Sequence, residues 1–336
     1  MLTFTKFTVL GVLTAALTIG QMEQGARAET GAEFYKGKTV TYIVASSAGG
    51  GYDLYGRLVA EFMQKHLPGS TVIVKNIPGA GHLVGANTLY ASKPDGLTVG
   101  TFNTGLIYSQ LIGRDGVRFD LAQMSWIGKA AADPRVFVVR PDLPIKNFVD
   151  LQNHKEPIGF ATSGLGSASY VETSMLAKAL KLPAKILTGY NGSDDQMAMR
   201  RGEIGALMGA RSSMDKFVEN GYGRFVVQIG GTDTDLPQLS DQVSDPMSKA
   251  LIALVQSQGD ISKLTAGPPG IPEDRLATLR AAYKAALEDP ELIAKATKLD
   301  RPVEPAFGEE VATKVKAAMK QTPETIALLK EMMDEK

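Results

Sequence analysis

The chain contains no cysteine in 336 residues. That absence excludes disulfides, thiolate metal sites and a cysteine nucleophile together. No sign of charge prevails either: Lys+Arg and Asp+Glu both number 36. A protein built around nucleic acid carries a basic excess, so no nucleic-acid partner is expected. Histidine is scarce. His66, His82 and His154 fall on separate elements, without H-E-x-x-H or any other ligand spacing. No metal and no cofactor is therefore expected. A G-x-S-x-G elbow is also missing, since Gly166-Ser167-Ala168-Ser169 lacks the second glycine. A nucleophilic serine at 47 or 167 stays open, but nothing nominates its base.

Long apolar runs are nearly absent too. The one near the N-terminus, residues 7–19, is short for a membrane span and follows Lys6. It leads to Ala26-Arg27-Ala28, the small-x-small form of a signal-peptidase site. Residues 1–28 thus read as a secretory signal, with a periplasmic mature chain from Glu29. An apolar content of 44% in a chain this long supports a sizeable core, so an exported protein needs no disulfide staples. Length alone allows one large domain or two ordinary ones.

What is present is alternation. β-branched or apolar runs at 39–44, 71–74, 97–101, 136–139, 157–160, 185–187, 204–208 and 225–229 read as strands. Between the first three lie stretches with helical spacing, at 52–66 (Leu54/Tyr55, Leu58/Val59, Phe62/Met63) and 83–91. The pattern predicts α/β architecture with open, mostly parallel sheets flanked by helices. Residues 231–270 have weaker periodicity. Pro272 then opens a helix with Leu276, Leu279 and Tyr283 on one stripe, and Pro290 and Pro323 introduce further helices.

Four loops share one chemistry. Ser47-Ala48-Gly49-Gly50 with Asp53, then Gly79-Ala80-Gly81-His82, then Asn103-Thr104, each follow a strand and enter a helix. Thr162-Ser163-Gly164 with Ser167 repeats the design in the second half. Glycines admit a ligand to the backbone, and helix starts aim unpaired N–H groups with a positive dipole end. Ligands of open α/β sheets bind outside the carboxyl ends of the strands, so adjacent strand ends converge on one crevice. Taken singly, each loop also reads as an ordinary flexible turn, with Asp53 a helix-start acid.

Gly79-Ala80-Gly81-His82-Leu83-Val84-Gly85 has a G-x-G-x-x-x-G spacing, close to a dinucleotide fingerprint. A nucleotide fits poorly. The ribose-binding acid expected about 20 residues on, at the end of the next strand, is missing. Asp95 belongs to the Lys93-Pro94-Asp95-Gly96 turn before that strand, and Pro78 removes an N–H at the loop entrance.

The stretch "VTYIVASSAGGGYD" (40–53), with "VIVKNIPGAGHLVGANTLYASKPDGLTVG" (72–100), resembles the solute receptors of tripartite tricarboxylate transporters, the Bug family. His82 stands where that pattern has a glycine. "GFATSGLGSASYVETSMLAKAL" and "GPPGIPEDRLATLRAAYKAALEDPEL" are similar to its later helix entries. The resemblance implies a two-lobed periplasmic binding protein of type II-like fold, with two hinge strands near 128–138 and 250–258. Residues 29–130 plus 252–336 would form lobe I, and 131–251 lobe II. It implies a monomer, not an enzyme, that closes on a small organic carboxylate and delivers it to integral-membrane transporter subunits. A di- or tricarboxylate or an aromatic acid is expected. Relatives carry an acid after the strand at 204; here Arg211 follows instead, either clamping a second carboxylate or solvated at the surface. Loss of that acid argues against an ammonium-bearing ligand. Tyr190 reads equally as a distal pocket residue or a core tyrosine. A periplasmic hydrolase of carboxylate esters or amides, and a receptor for a signalling partner, are the alternatives.

Overall fold

A computed structural model describes residues 1, 31–190, 193–232 and 235–334; the expected signal segment otherwise lies outside them. Among the described residues eleven strands run in chain order: β1 (Thr39–Val44), β2 (Thr71–Asn76), β3 (Thr98–Phe102), β4 (Ser125–Lys129), β5 (Arg135–Val139), β6 (Ile158–Ala161), β7 (Ala184–Leu187), β8 (Ala206–Ala210), β9 (Arg224–Ile229), β10 (Leu264–Gly267) and β11 (Ala306–Phe307). Around them lie α1 (Gly31–Phe34), α2 (Gly51–Lys65), α3 (Leu83–Tyr90), α4 (Gly105–Leu111), α5 (Phe148–Gln152), α6 (Ala168–Ala179) and α7 (Asp194–Arg200). The later helices are α8 (Arg211–Glu219), α9 (Pro246–Asp260), α10 (Glu273–Glu288), α11 (Pro290–Lys298), α12 (Gly308–Ala318) and α13 (Pro323–Asp334).

These strands make two sheets, ordered β11-β4-β10-β3-β1-β2 and β7-β6-β8-β5-β9. Both are mixed rather than mostly parallel. β1 pairs parallel with β2 and β3, and β6 with β7 and β8, as βαβ units require. The strands that carry the chain between sheets enter antiparallel: β10 against β3 and β4, and β5 against β8 and β9. A chain that crosses over and returns inserts strands without a helical crossover, which the alternation pattern does not register.

The amphipathic reading of α2 holds. Tyr55, Leu58, Val59, Phe62 and Met63 are all buried against the first sheet's core with Tyr42, Val44 and Tyr283. Each such side chain contributes about 1.5–3 kcal/mol by leaving water. The second core packs Phe137, Phe160, Met175 and Leu176, and it also takes Leu251, Ile252 and Val255 of α9 and Leu329 of α13. The chain therefore leaves the first sheet between β4 and β5, at 130–134. The return expected at 250–258 falls inside α9; the chain regains the first sheet after Asp260, at 261–263.

Candidate functional site

Because β1, β2 and β3 run parallel and adjacent, their carboxyl ends open onto the same edge of the first sheet. After β1, Gly49 (φ 88°) turns the chain and Gly50 precedes α2 in extended conformation. After β2, four consecutive residues have positive φ: Gly79 at 133°, Ala80 at 48°, Gly81 at 67° and His82 at 77°. For Ala80 and His82 that conformation costs about 1–3 kcal/mol each, strain of the kind concentrated at ligand clamps. After β3, Asn103 Oδ1 accepts from Gly105 N at 2.6 Å and from Ala168 N, in the second lobe, at 3.2 Å.

The second lobe answers with the loop between β6 and α6. Ser163 N donates to Ser169 Oγ at 3.1 Å, and Ser167 Oγ caps α6 by accepting from Tyr170 N at 3.2 Å. The lobes touch here. A Cβ on Gly81 would lie 2.7 Å from Ser167 N, and one on Gly105 would strike the Ala168 backbone. Across the far side, Lys216 of α8 pairs with Asp300 at 3.1 Å, and the Arg301 guanidinium donates to the Ser212 carbonyl.

Between the lobes lie two adjoining chambers that share Ser46, Ser47, His82 and Ser163. One, of about 330 Å³, is lined by Pro78, Gly79, Ala80, Gly81 and Gly164, and no acid or basic amine lines it. The other, of about 160 Å³, is lined by Gly50, Tyr52, Asn103, Arg135, Glu172, Asp195, Gln196 and Lys263 among others. Its charges are mostly paired. Arg135 donates twice to Glu172, at 2.8 and 3.3 Å, with both groups buried. Burial opposes the Arg135 charge, but the Glu172 carboxylate outweighs it and the pKa rises. Lys263 Nζ lies 3.2 Å from Asp133 and 4.6 Å from the Tyr52 ring centre; Asp133 also accepts from Ser212 N and Oγ.

His82 packs edge-on to Tyr52, with ring centres 5.1 Å apart. Burial, helped by the Lys263 ammonium, pushes its pKa down to about 3, so the imidazole is neutral at physiological pH. Its Nδ1 and the Tyr52 hydroxyl are buried with no hydrogen-bond partner among the described residues. Such orphaned groups cost about 1–3 kcal/mol apiece unless a ligand or water satisfies them. Asp195 has its pKa raised to about 6, by burial and then by Asp194.

Of the residues expected at the site, Ser47, Gly50, Gly79, Ala80, Gly81, His82, Asn103, Ser163 and Gly164 line the two chambers. Ala48, Gly49, Thr104, Thr162 and Ser167 lie in the same loops but do not line them. Thr162 Oγ1 donates to the Leu187 carbonyl at 3.3 Å. Thr104 is buried. Asp53 is occupied internally: its carboxylate accepts from Gly49 N at 3.0 Å, Arg57 Nε at 3.0 Å and Asn76 Nδ2 at 2.8 Å. Burial opposes its ionisation, yet these donors hold its pKa below the usual carboxylate value. It braces the loop from behind. Tyr190 packs on the second lobe's smaller core and lines neither chamber.

Arg211 also lines neither chamber. It lines a separate cavity of about 520 Å³ with Asp133, Asp215, Asp260 and Asp300. Its guanidinium meets Asp235 at 2.6 and 2.9 Å, Gln228 at 2.9 Å and Asp215 at 3.4 Å, so it is neutralised where it stands. Sequence reasoning missed Tyr52, Arg135, Asp195 and Lys263. Asp195 was reachable, because it starts a helix after β7, which runs parallel to β6. Arg135 starts β5 just past one interlobe crossing and Lys263 ends the other, and no local pattern marks them. An acid thus reaches the cleft from α7, although the loop after β8 lacks one.

The family described as Tripartite tricarboxylate transporter family receptor (TctC) matches residues 56–332. Among curated relatives, the UPF0065 protein in the TAR-I ttuE-ttuC' intergenic region of Agrobacterium vitis is 31% identical over 150 residues, 44% of this chain and 43% of that protein. The match spans less than half the length of that relative. Among solved structures, the periplasmic binding protein BugD superposes with a TM-score of 0.73 at 22% identity, over 89% of this chain and 98% of that one. MatC (Rpa3494) from Rhodopseudomonas palustris with bound malate gives 0.70 at 19% identity, over 88% and 99%. At these identities the superpositions speak to the fold, a two-lobed α/β binding-protein architecture.

Proposed function

Since the chain belongs to the tripartite tricarboxylate transporter receptor family, we propose that it captures a small organic carboxylate in the interlobe cleft and hands it to the membrane subunits of such a transporter. The observation that carries this reading is the run of four positive-φ residues at 79–82, which turns a loop at a helix start toward a chamber free of acids. Backbone N–H groups in such a turn form an anion-binding concavity. The ligand carboxylate sits against Ser47 and the Gly79–His82 loop, with Ser163 and Gly164 closing over it. Residues 130–134 and 261–263 act as the hinges. The malate in MatC agrees in chemical class.

The protein is exported to the periplasm and works there as a monomer without a cofactor. Among the described residues, no helix is long and apolar enough to cross a membrane.

A thermal-shift screen of the mature chain over a carboxylate library, followed by calorimetry on the hits, tests the reading. One ligand should bind with unit stoichiometry, raise the melting temperature by mass action and be recovered unchanged. Turnover of a bound ester or amide would favour a hydrolase instead. Failure of every carboxylate to bind would overturn the receptor reading.

A further inference from the structure

The charged chamber is asymmetric in its pairing. Arg135 is engaged by Glu172 and Lys263 by Asp133. Asp195 lines the same chamber, and among the described residues no cation is bonded to it. Its Oδ1 accepts from the neighbouring Gln196 N, at 2.7 Å. Gln196 is held in turn, its Nε2 donating to the Ser213 carbonyl at 2.8 Å. Ser213 faces Gly51 of the opposite lobe, where a Cβ would lie 3.0 Å from its Oγ. The acid is therefore carried on a braced element at the meeting of the lobes.

A second ligand carboxylate entering this chamber would add negative charge beside Glu172 and Asp195 while finding both cations already neutralised. A hydrogen-bond donor would find a ready acceptor. We propose that Asp195 makes the receptor select carboxylates that also bear a hydroxyl or ammonium donor, over those ending in a methyl or a second carboxylate. This deepens the carboxylate-receptor reading and rests on it. The raised pKa of Asp195 fits: ionising a partly buried carboxylate is costly alone and less so beside a donor. Sites built around a buried polar group reject analogues that leave it unpaired.

The test uses the mature chain and C3–C6 carboxylic acids ending in methyl, carboxylate, hydroxyl or ammonium, with 2-hydroxy and 2-amino diacids added. Affinities are read by calorimetry for the natural protein, Asp195→Ala and Asp195→Asn. In the natural protein a donor-bearing acid should bind at least about 10-fold tighter than its methyl and plain dicarboxylate counterparts. Asp195→Ala should bring that ratio to about one while retaining carboxylate binding. Asp195→Asn keeps an acceptor without charge, so it should preserve a hydroxyl preference and lose an ammonium preference. Equal affinities across the series in the natural protein, or an unchanged ratio in Asp195→Ala, would overturn the proposal while leaving the receptor intact. Absence of binding by any acid would remove the receptor reading as well.

Discussion

The two chambers of the cleft are built from different materials. The one beside 78–82 is made mostly of backbone and small side chains, with four consecutive left-handed residues in its wall. The one beside Tyr52 is made of side chains, with two buried ion pairs, a neutral histidine and an acid to which no cation is bonded among the described residues. In the receptor proposed above, backbone recognises what every carboxylate shares. Side chains recognise what distinguishes one acid from another, and they change by substitution without disturbing the loop that holds the common group.

The largest expected effect comes from breaking the backbone chamber. Gly81→Val places a branched side chain at φ 67° and against the opposing Ser167 N, 2.7 Å from the new Cβ. Closure is blocked and the turn is strained by about 1–3 kcal/mol, so affinity for every carboxylate should fall about 100-fold or more. Small-angle scattering should show no compaction on adding ligand. Selective loss for one ligand alone would contradict the assignment of this chamber to the shared group.

Breaking the side-chain chamber should register as stability. Arg135→Met leaves Glu172 buried without its partner, a loss of about 3–5 kcal/mol in urea unfolding. Arg135→Met combined with Glu172→Met should recover most of it, because two apolar residues leave no orphan charge. A single variant as stable as the natural chain would mean that the pair is not desolvated as described.

A third comparison is in pH. His82 takes up a proton near pH 6.5 when unfolded but at about 3 when folded, so it contributes stability above 6.5 that is lost as pH falls toward 3. Asp195 has the opposite sign. Its pKa rises from the usual 3.8 to about 6, so the stability it contributes is fully present below 3.8 and is lost as pH rises through 6. Melting curves across pH 4–8 should therefore show a shallower acid limb for His82→Gln and a higher neutral-pH midpoint for Asp195→Asn. Identical profiles in all three proteins would remove both groups from the titration.

The smallest effect is expected outside both chambers. Arg211→Ala removes a guanidinium already held by Asp235 and Gln228, and ligand affinity should change less than about 2-fold by calorimetry. A larger loss would move Arg211 back into the cleft.

Much of this was readable beforehand where the signal is local. The β1, β2 and β3 strands and the α2 stripe follow from residue type and spacing, and the loops after these strands follow from glycine at helix starts. β4 and β10 were not readable. Both are short and sit where the chain changes sheets, so long-range pairing rather than their own pattern makes them strands. α9 escaped for a related reason: it lies in a stretch of weak periodicity, and packing against the second core supports it.

What the sequence by itself determined is the glycine-rich turn into a helix at 79–83, because glycine and a helix start act within a few residues of each other. What only the tertiary structure decided is which charged groups line the chamber beside that turn. Arg135 and Lys263 lie beside the crossings, and the return of the chain through them brings both to the cleft. Arg211 starts a helix after a strand, as the local rule for a site demands, yet faces another cavity. Local spacing specifies the face of an element on which a side chain lies; what that face meets depends on how two sheets are joined, and that is settled by pairings many residues apart.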